Sequence, residues 1–218
     1  MSDEVPFSQT LRHATREGHD RAQESTFITA LLDGNLSLAG YIELATQHYI
    51  IYAELEAAAE RMREHPVVGA FVIDALHRVP ALTADLHALL GPTWSDHTIA
   101  NTATASYRDR LTTVAANEPT AFVAHQYTRY LGDIAGGQII RARLRRQHGL
   151  GDEGTRFYDF AAIEPIPTFR AHYRSLLDNA AWTAEERAAL VTEARLAFDL
   201  NLAVFAELGA SLDKYLVA

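Results

Sequence analysis

Tyr127-Thr128-Arg129-Tyr130-Leu131-Gly132-Asp133-Ile134-Ala135-Gly136-Gly137-Gln138 lies inside a stretch, Pro119 to Gly149, that otherwise reads as one long helix. Pro119 stands where a first-turn proline belongs, and Gly149 where a C-terminal cap does. The glycines at 132, 136 and 137 work against that helix, each by about 1 kcal/mol relative to alanine. Gly132 and Gly136 are one turn apart with Ala135 between them, so one helix face loses nearly all its side chains. Gly136-Gly137 is also a site at which a helix can kink. Two readings follow. The bare face accepts a close helix crossing, or a planar macrocycle lies against the backbone there. Asp133 favours the second, because a carboxylate beside a bare surface is costly in an apolar helix unless it has hydrogen-bonding work.

Working outward, the pattern is helical almost throughout, with Ala, Leu, Glu and Arg dominant and apolar residues at three- and four-residue spacing. A first helix is predicted from about Ser8 to Gln23, with Leu11, Thr15, Gly18, His19 and Ala22 close to one face. Asp33-Gly34-Asn35 reads as a turn, and Ser37 as the N-cap of a long helix that Pro66 ends. Further helices are expected over 68–76, 79–90 and 102–116. After the Pro119 helix, 156–167 reads as irregular and 168–177 as helical. Thr183-Ala184-Glu185-Glu186 matches a capping box that starts a last long helix through Leu190, Phe198, Asn201 and Phe205. No repeat, linker or low-complexity segment interrupts the chain. The expectation is an all-α helical bundle forming a single domain over 1–218.

The 218 residues suit one core, and composition narrows its chemistry. There is no cysteine, which excludes disulfide scaffolds, thiolate nucleophiles, Cys-ligated zinc, iron–sulfur clusters and cysteinate-bound haem. Ten histidines leave imidazole as the soft ligand. A net charge of −9 argues against nucleic acid as the main partner. Met1-Ser2-Asp3-Glu4 is acidic where a signal peptide would be basic, and no apolar run reaches the ~18–20 residues of a membrane span. A cytoplasmic protein without a membrane anchor is expected.

If the flat ligand is a haem, its axial ligand comes from another helix, and His19, His48 and His125 are all open on spacing alone. The two propionates want guanidinium or ammonium partners. Arg12 and Arg16 are four apart on the His19 helix, and Arg170 and Arg174 repeat that spacing. Each pair is equally an ordinary solvated face.

At these residues the chain resembles the haem oxygenase family. Ala124-His125-Gln126 followed by Tyr127–Gln138 looks like the family signature. Leu11-Arg12-His13-Ala14-Thr15-Arg16-Glu17-Gly18-His19, with Ala22 and Phe27, is similar to the family's proximal-ligand region. Tyr49-Ile50-Ile51-Tyr52-Ala53-Glu54-Leu55-Glu56 and Ala197-Phe198-Asp199-Leu200-Asn201 also match, so the likeness spans about 8–208 in order.

The resemblance implies haem b as substrate and cofactor, sandwiched between an N-terminal proximal helix and the glycine-rich distal helix. It implies His19 as iron ligand, with Gly132, Gly136 and Gly137 over the haem face. Asp133 would organise the water that delivers protons, with Tyr52 and Arg129 in the same network. Arg12, Arg16, Arg170, Arg174 and Tyr127 would hold the propionates, and Phe198 and Asn201 fall in a matching haem-binding segment. One departure stands out: Gln23 occupies a place where the family commonly has a carboxylate to accept the proximal imidazole N–H.

The implied reaction uses O2 and external electrons to convert haem to biliverdin, carbon monoxide and ferrous iron. With no flavin, nicotinamide or iron–sulfur motif in the chain, the electrons are expected from a ferredoxin with ferredoxin reductase or from a flavin reductase. Arg141, Arg143, Arg145 and Arg146 crowd the end of the distal helix. They are either a dock for such a partner or cations suited to a helix C-terminus. Three rivals remain in view. A haem-binding sensor or storage protein shares the site. A thiamin-degrading enzyme shares the helical architecture but uses a cysteine that this chain lacks. A di-iron bundle needs Glu-x-x-His motifs, and no Glu here has a His three residues later.

Overall fold

A computed structural model gives residues 5–163 and 165–217. Among them the chain forms nine α-helices and no strand beyond one isolated antiparallel bridge, Leu36 to Leu216. The expected all-α architecture is what the chain adopts.

The N-terminal segment is two helices rather than one: α1 (Phe7–Ala14) and α2 (Arg16–Gln23). The break falls at Thr15, whose backbone turns to φ −103° and ψ 0° between the two helices. The sequence reading left 26–33 without an element. It is helix α3 (Thr26–Asp33), which buries Phe27, Ile28, Ala30 and Leu31 and ends at Gly34 with φ 81°.

Helix α4 (Leu38–Met62) starts where expected, with the Ser37 hydroxyl accepting from the Gly40 N–H. The helix expected over 68–76 is instead two 3₁₀ turns, Val68–Phe71 and Asp74–Leu76. Val67, Val68, Val72 and Ile73 are β-branched and Gly69 is a poor helix former, so local propensity does not sustain longer helix there.

Helix α5 spans Val79–Leu90 and α6 Thr102–Asn117, the latter capped by Asn101. Helix α7 (Pro119–His148) runs unbroken through all three glycines to Gly149, which takes the left-handed φ of 67°. Helix α8 (Ile166–Asn179) begins two residues before the expected 168, with Pro167 in its first turn. Helix α9 (Ala184–Ala210) opens on the full capping box of Thr183 and Glu186.

Helix α9 is the common floor: α7, α6, α3, α2 and α1 all pack on it. Helix α4 packs against α5, α6 and α7. A single contiguous apolar core joins them, including Tyr52, Tyr107, Phe122, Tyr130 and Phe157.

The irregular 156–163 segment is held down by two buried charges. Asp85 accepts from the Arg156 and Phe157 N–H groups at 2.9 and 2.8 Å. Arg78 donates to the Asp159 carbonyl at 2.5 Å and lies over the Phe160 ring. That clamp presses Phe157 against α4 and Tyr158 against α7.

Candidate functional site

Gly132 and Gly136 lie on a side of α7 where a Cβ built on either would meet nothing within 4 Å beyond the helix itself. No neighbouring helix fills that face, so a close helix crossing is not why glycine stands at these two positions. Gly137 differs. A Cβ there would come 2.9 Å from Tyr158 Cδ1, so this glycine serves the packing of the 156–158 turn on α7.

Beside the bare face lies a buried polar group. The Tyr52 hydroxyl on α4 donates to the Asp133 carboxylate on α7. The Arg129 guanidinium, one turn before Asp133, lies over the Tyr52 ring at 4.9 Å and donates from Nη1 to Asn201 Oδ1 on α9. Arg129 is 4% exposed, and by hydrogen-bond geometry its Nε and Nη2 have no partner among the described residues. Burial pushes the Asp133 carboxyl above its usual range, while the positive Arg129 and the bond from Tyr52 pull it part of the way back. Burial likewise raises the Tyr52 phenol, with the Asp133 charge adding to it. Such a carboxyl holds its proton to higher pH than a solvated one does.

His19 projects from α2, which reaches α9 closely because residue 18 is glycine: a Cβ there would be 2.8 Å from Phe198 Cβ. The His19 ring meets Phe198 edge-on at 6.4 Å. Its Nδ1 lies 3.3 Å from Asp20 Oδ1, while Nε2 has no hydrogen bond among the described residues. The carboxylate beside this imidazole is therefore supplied by the next residue in sequence. Gln23 is exposed and makes no such contact.

The other two histidines open on spacing are both buried. His125 is committed: Nε2 is 2.7 Å from Glu193 Oε1 and Nδ1 is 3.4 Å from the Tyr107 hydroxyl. Among the described residues neither ring nitrogen of His48 has a partner.

Tyr127, earlier on α7, lies close to Thr15 and feels the charges of Arg12 and Arg170. Burial raises its phenol, and those three neighbours counter it. Arg12 on α1 and Arg170 on α8 thus act on one phenol electrostatically. Arg16 pairs with Asp20 at 3.8 Å instead, and Arg174 is exposed. Thr15 was missed as a site residue; a threonine in mid-helix was the available signal.

Of the four arginines near the end of α7, Arg141 and Arg145 form ion pairs with Asp152, and Arg141 also with Asp159. Arg143 is half-buried beside Gly34, and Arg146 is exposed.

A side-chain-free face on α7, a buried Tyr52–Asp133–Arg129 cluster joining α7 to α4, and a histidine on a short helix packed on α9 are the chemically distinctive features of this all-α protein. The family model described as "Heme oxygenase" matches residues 5–207. The heme oxygenase of Porphyra purpurea is 34% identical over 209 residues, covering 95% of this chain and 89% of that protein. The crystal structure of heme oxygenase-1 from Synechocystis sp. PCC6803 in complex with heme superposes with a TM-score of 0.92 at 32% identity, covering 96% of this chain and 95% of that one. A TenA homologue from P. horikoshii OT3 shares the fold alone, at TM-score 0.71 and 14% identity. The chain belongs to the haem oxygenase family, the haem-degrading oxygenases.

Proposed function

We propose that the chain opens the ring of haem b with O2 and external electrons, yielding the alpha isomer of biliverdin, carbon monoxide and ferrous iron, as one domain over 1–218. The observation that carries this reading is the pairing of Gly132 and Gly136, whose Cβ positions meet nothing, with the Tyr52–Asp133–Arg129 cluster beside them.

These residues fit a haem. His19 offers Nε2 as the iron ligand, and its Nδ1 contact with Asp20 fixes which nitrogen is offered. Gly132 and Gly136 let the macrocycle lie against backbone, and Phe198 supports the His19 side. Arg12, Arg170 and Tyr127 would hold the propionates, with Arg16 and Arg174 recruited from solvent. Gly137 acts from behind, keeping Tyr158 close to α7. When bound, the haem supplies both the iron that activates oxygen and the carbon that is oxidised.

The protein's part is orientation and protons. No side chain at 132 or 136 can offer an acid or base directly at the reacting face. Proton delivery therefore falls to Asp133, one position away and tied to Tyr52, acting through water. Arg129 and Asn201 hold that carboxylate's surroundings in place. Electrons would arrive from a ferredoxin system or flavin reductase. Among the described residues Arg146 and Arg143 are the arginines at the end of α7 with no internal ion pair, so they carry most of the charge there available to an acidic partner.

The test is to add hemin to the purified chain and then ascorbate or a reductase under air. Loss of the Soret band with growth of biliverdin absorption is expected, and HPLC of the product identifies the isomer. A persistent Soret band would replace this reading with a haem sensor or store.

A further inference from the structure

His48 is buried to 5% exposure on α4, and both of its ring nitrogens lack a partner among the described residues. Buried imidazoles are ordinarily satisfied, as His125 is in this same chain. The position is also not one where an apolar core simply tolerates a histidine. His48 stands one helical turn before Tyr52, its ring 6.4 Å from the Tyr52 ring and 5.2 Å from that of Phe157. Tyr52 in turn carries Arg129 over its face, and Arg129 has two unpartnered nitrogens, Nε and Nη2. Burial and the Arg129 charge keep the imidazole neutral, with one ring nitrogen a donor and the other an acceptor.

The unmet groups are complementary. Arg129 has only donors to offer, and a neutral imidazole has one acceptor. The two make no direct hydrogen bond, yet both border Tyr52, whose hydroxyl is already bonded to Asp133. A water between them would accept from Arg129 and donate to the imidazole, giving each a partner.

We propose that His48 is a positioning residue for the haem reaction, holding with Arg129 a buried water that feeds protons to the Tyr52–Asp133 pair. This rests on the haem-site reading above. It extends the proton route from α7 along α4, away from the bare glycine face. His48 touches neither haem nor oxygen in this scheme. It acts through the water and through Asp133.

The first test needs no haem. In the full-length apoprotein labelled with ¹⁵N-histidine, the His48 ring should show one protonated nitrogen and a cross-relaxation peak to water. Absence of that peak overturns the proposal and leaves the haem-site reading untouched. The second test uses two variants. His48→Leu keeps the volume and removes both polar groups; His48→Gln keeps a donor and an acceptor. With hemin bound, His48→Leu should slow biliverdin formation about tenfold without changing hemin affinity. Its apoprotein should melt about 3 °C higher, because a hydrated polar group has been removed from the core. His48→Gln should recover most of the rate. Full activity in His48→Leu, or equal loss in both variants, overturns the proposal. Failure of unaltered protein to turn over hemin would instead count against the haem-degrading reading.

Discussion

Helix α7 carries two buried polar residues one turn apart, His125 and Arg129, and they belong to opposite kinds of network. His125 sits in a closed one. Its two nitrogens meet Glu193 and Tyr107, and Glu193 also takes Arg110 through two bonds of 2.8 and 2.6 Å. Arg110 completes itself on Glu118. Every charge there has an opposite partner, and the set ties α6, α7 and α9 together. Arg129 sits in an open one. Two of its nitrogens, and both nitrogens of nearby His48, have no partner among the described residues. Closed networks fix a fold, whereas an open one, held at some cost in stability, marks where solvent or substrate must enter.

The largest effect that would break this contrast is on stability. Glu193→Ala leaves Arg110 and His125 without their shared carboxylate, and removing one partner of a buried pair typically costs about 3–5 kcal/mol. Chemical denaturation should show that loss. The fraction still folded should retain its rate of biliverdin formation per bound hemin. A selective loss of rate with stability intact would mean that the closed network is part of the site.

Asp133→Ala should do the reverse. It removes a carboxyl that burial already disfavours, so stability should hold or rise. Biliverdin formation should fall about a hundredfold, as expected when a proton-transfer group is lost. Single-turnover absorption with hemin and ascorbate measures the rate, and an unchanged rate would remove Asp133 from the proposed chemistry.

Adjacent glycines give a third, smaller contrast. Gly136→Ala places a methyl in open space and relieves a helix penalty, so the apoprotein should gain about 1 kcal/mol while hemin binding weakens. Gly137→Ala drives the same methyl into the Tyr158 ring and should cost about 1–3 kcal/mol. If both substitutions behaved alike, the bare face would not be where the haem lies.

This pair also shows what the sequence could and could not disclose. The helix that carries the site was legible because its signals are local: Pro119 at its start, Gly149 at its end, and two glycines one turn apart. The capping box at Thr183 is legible for the same reason. What separates Gly136 from Gly137 is Tyr158, about twenty residues on, held there by Asp85 and Arg78 from a third segment. Likewise His125 and His48 are equivalent by spacing. Only the arrival of Glu193, 68 residues away, marks one as structural. The break at Thr15, where the backbone turns to φ −103° and ψ 0°, leaves the three- and four-residue apolar spacing in place, so that spacing does not register it.

The smallest expected effect is on acid stability, where the two carboxylates at the centre of the comparison have opposite signs. Burial alone would raise the Glu193 carboxyl, but hydrogen bonds from His125 and Arg110 outweigh it and hold it at about 2. The unfolded chain therefore takes up that proton first, near the ordinary 4.5. The stabilisation is complete above 4.5 and is lost as pH falls toward 2. Asp133 is raised above its ordinary 3.8, so the folded chain takes up its proton first. Its contribution is present below 3.8 and is lost as pH rises through the raised value. Acidification thus weakens the closed network and relieves the open one. His125 and His48, both held neutral by burial, add a shared loss that begins as pH falls below 6.5. Against that common background, Glu193→Gln should flatten the fall in unfolding free energy between pH 4.5 and 2. Asp133→Asn should steepen the fall at the upper end of the acid range. Parallel urea titrations of the two variants and the unaltered chain separate the cases. Slopes changing in the same direction would mean that both carboxylates sit in networks of one kind.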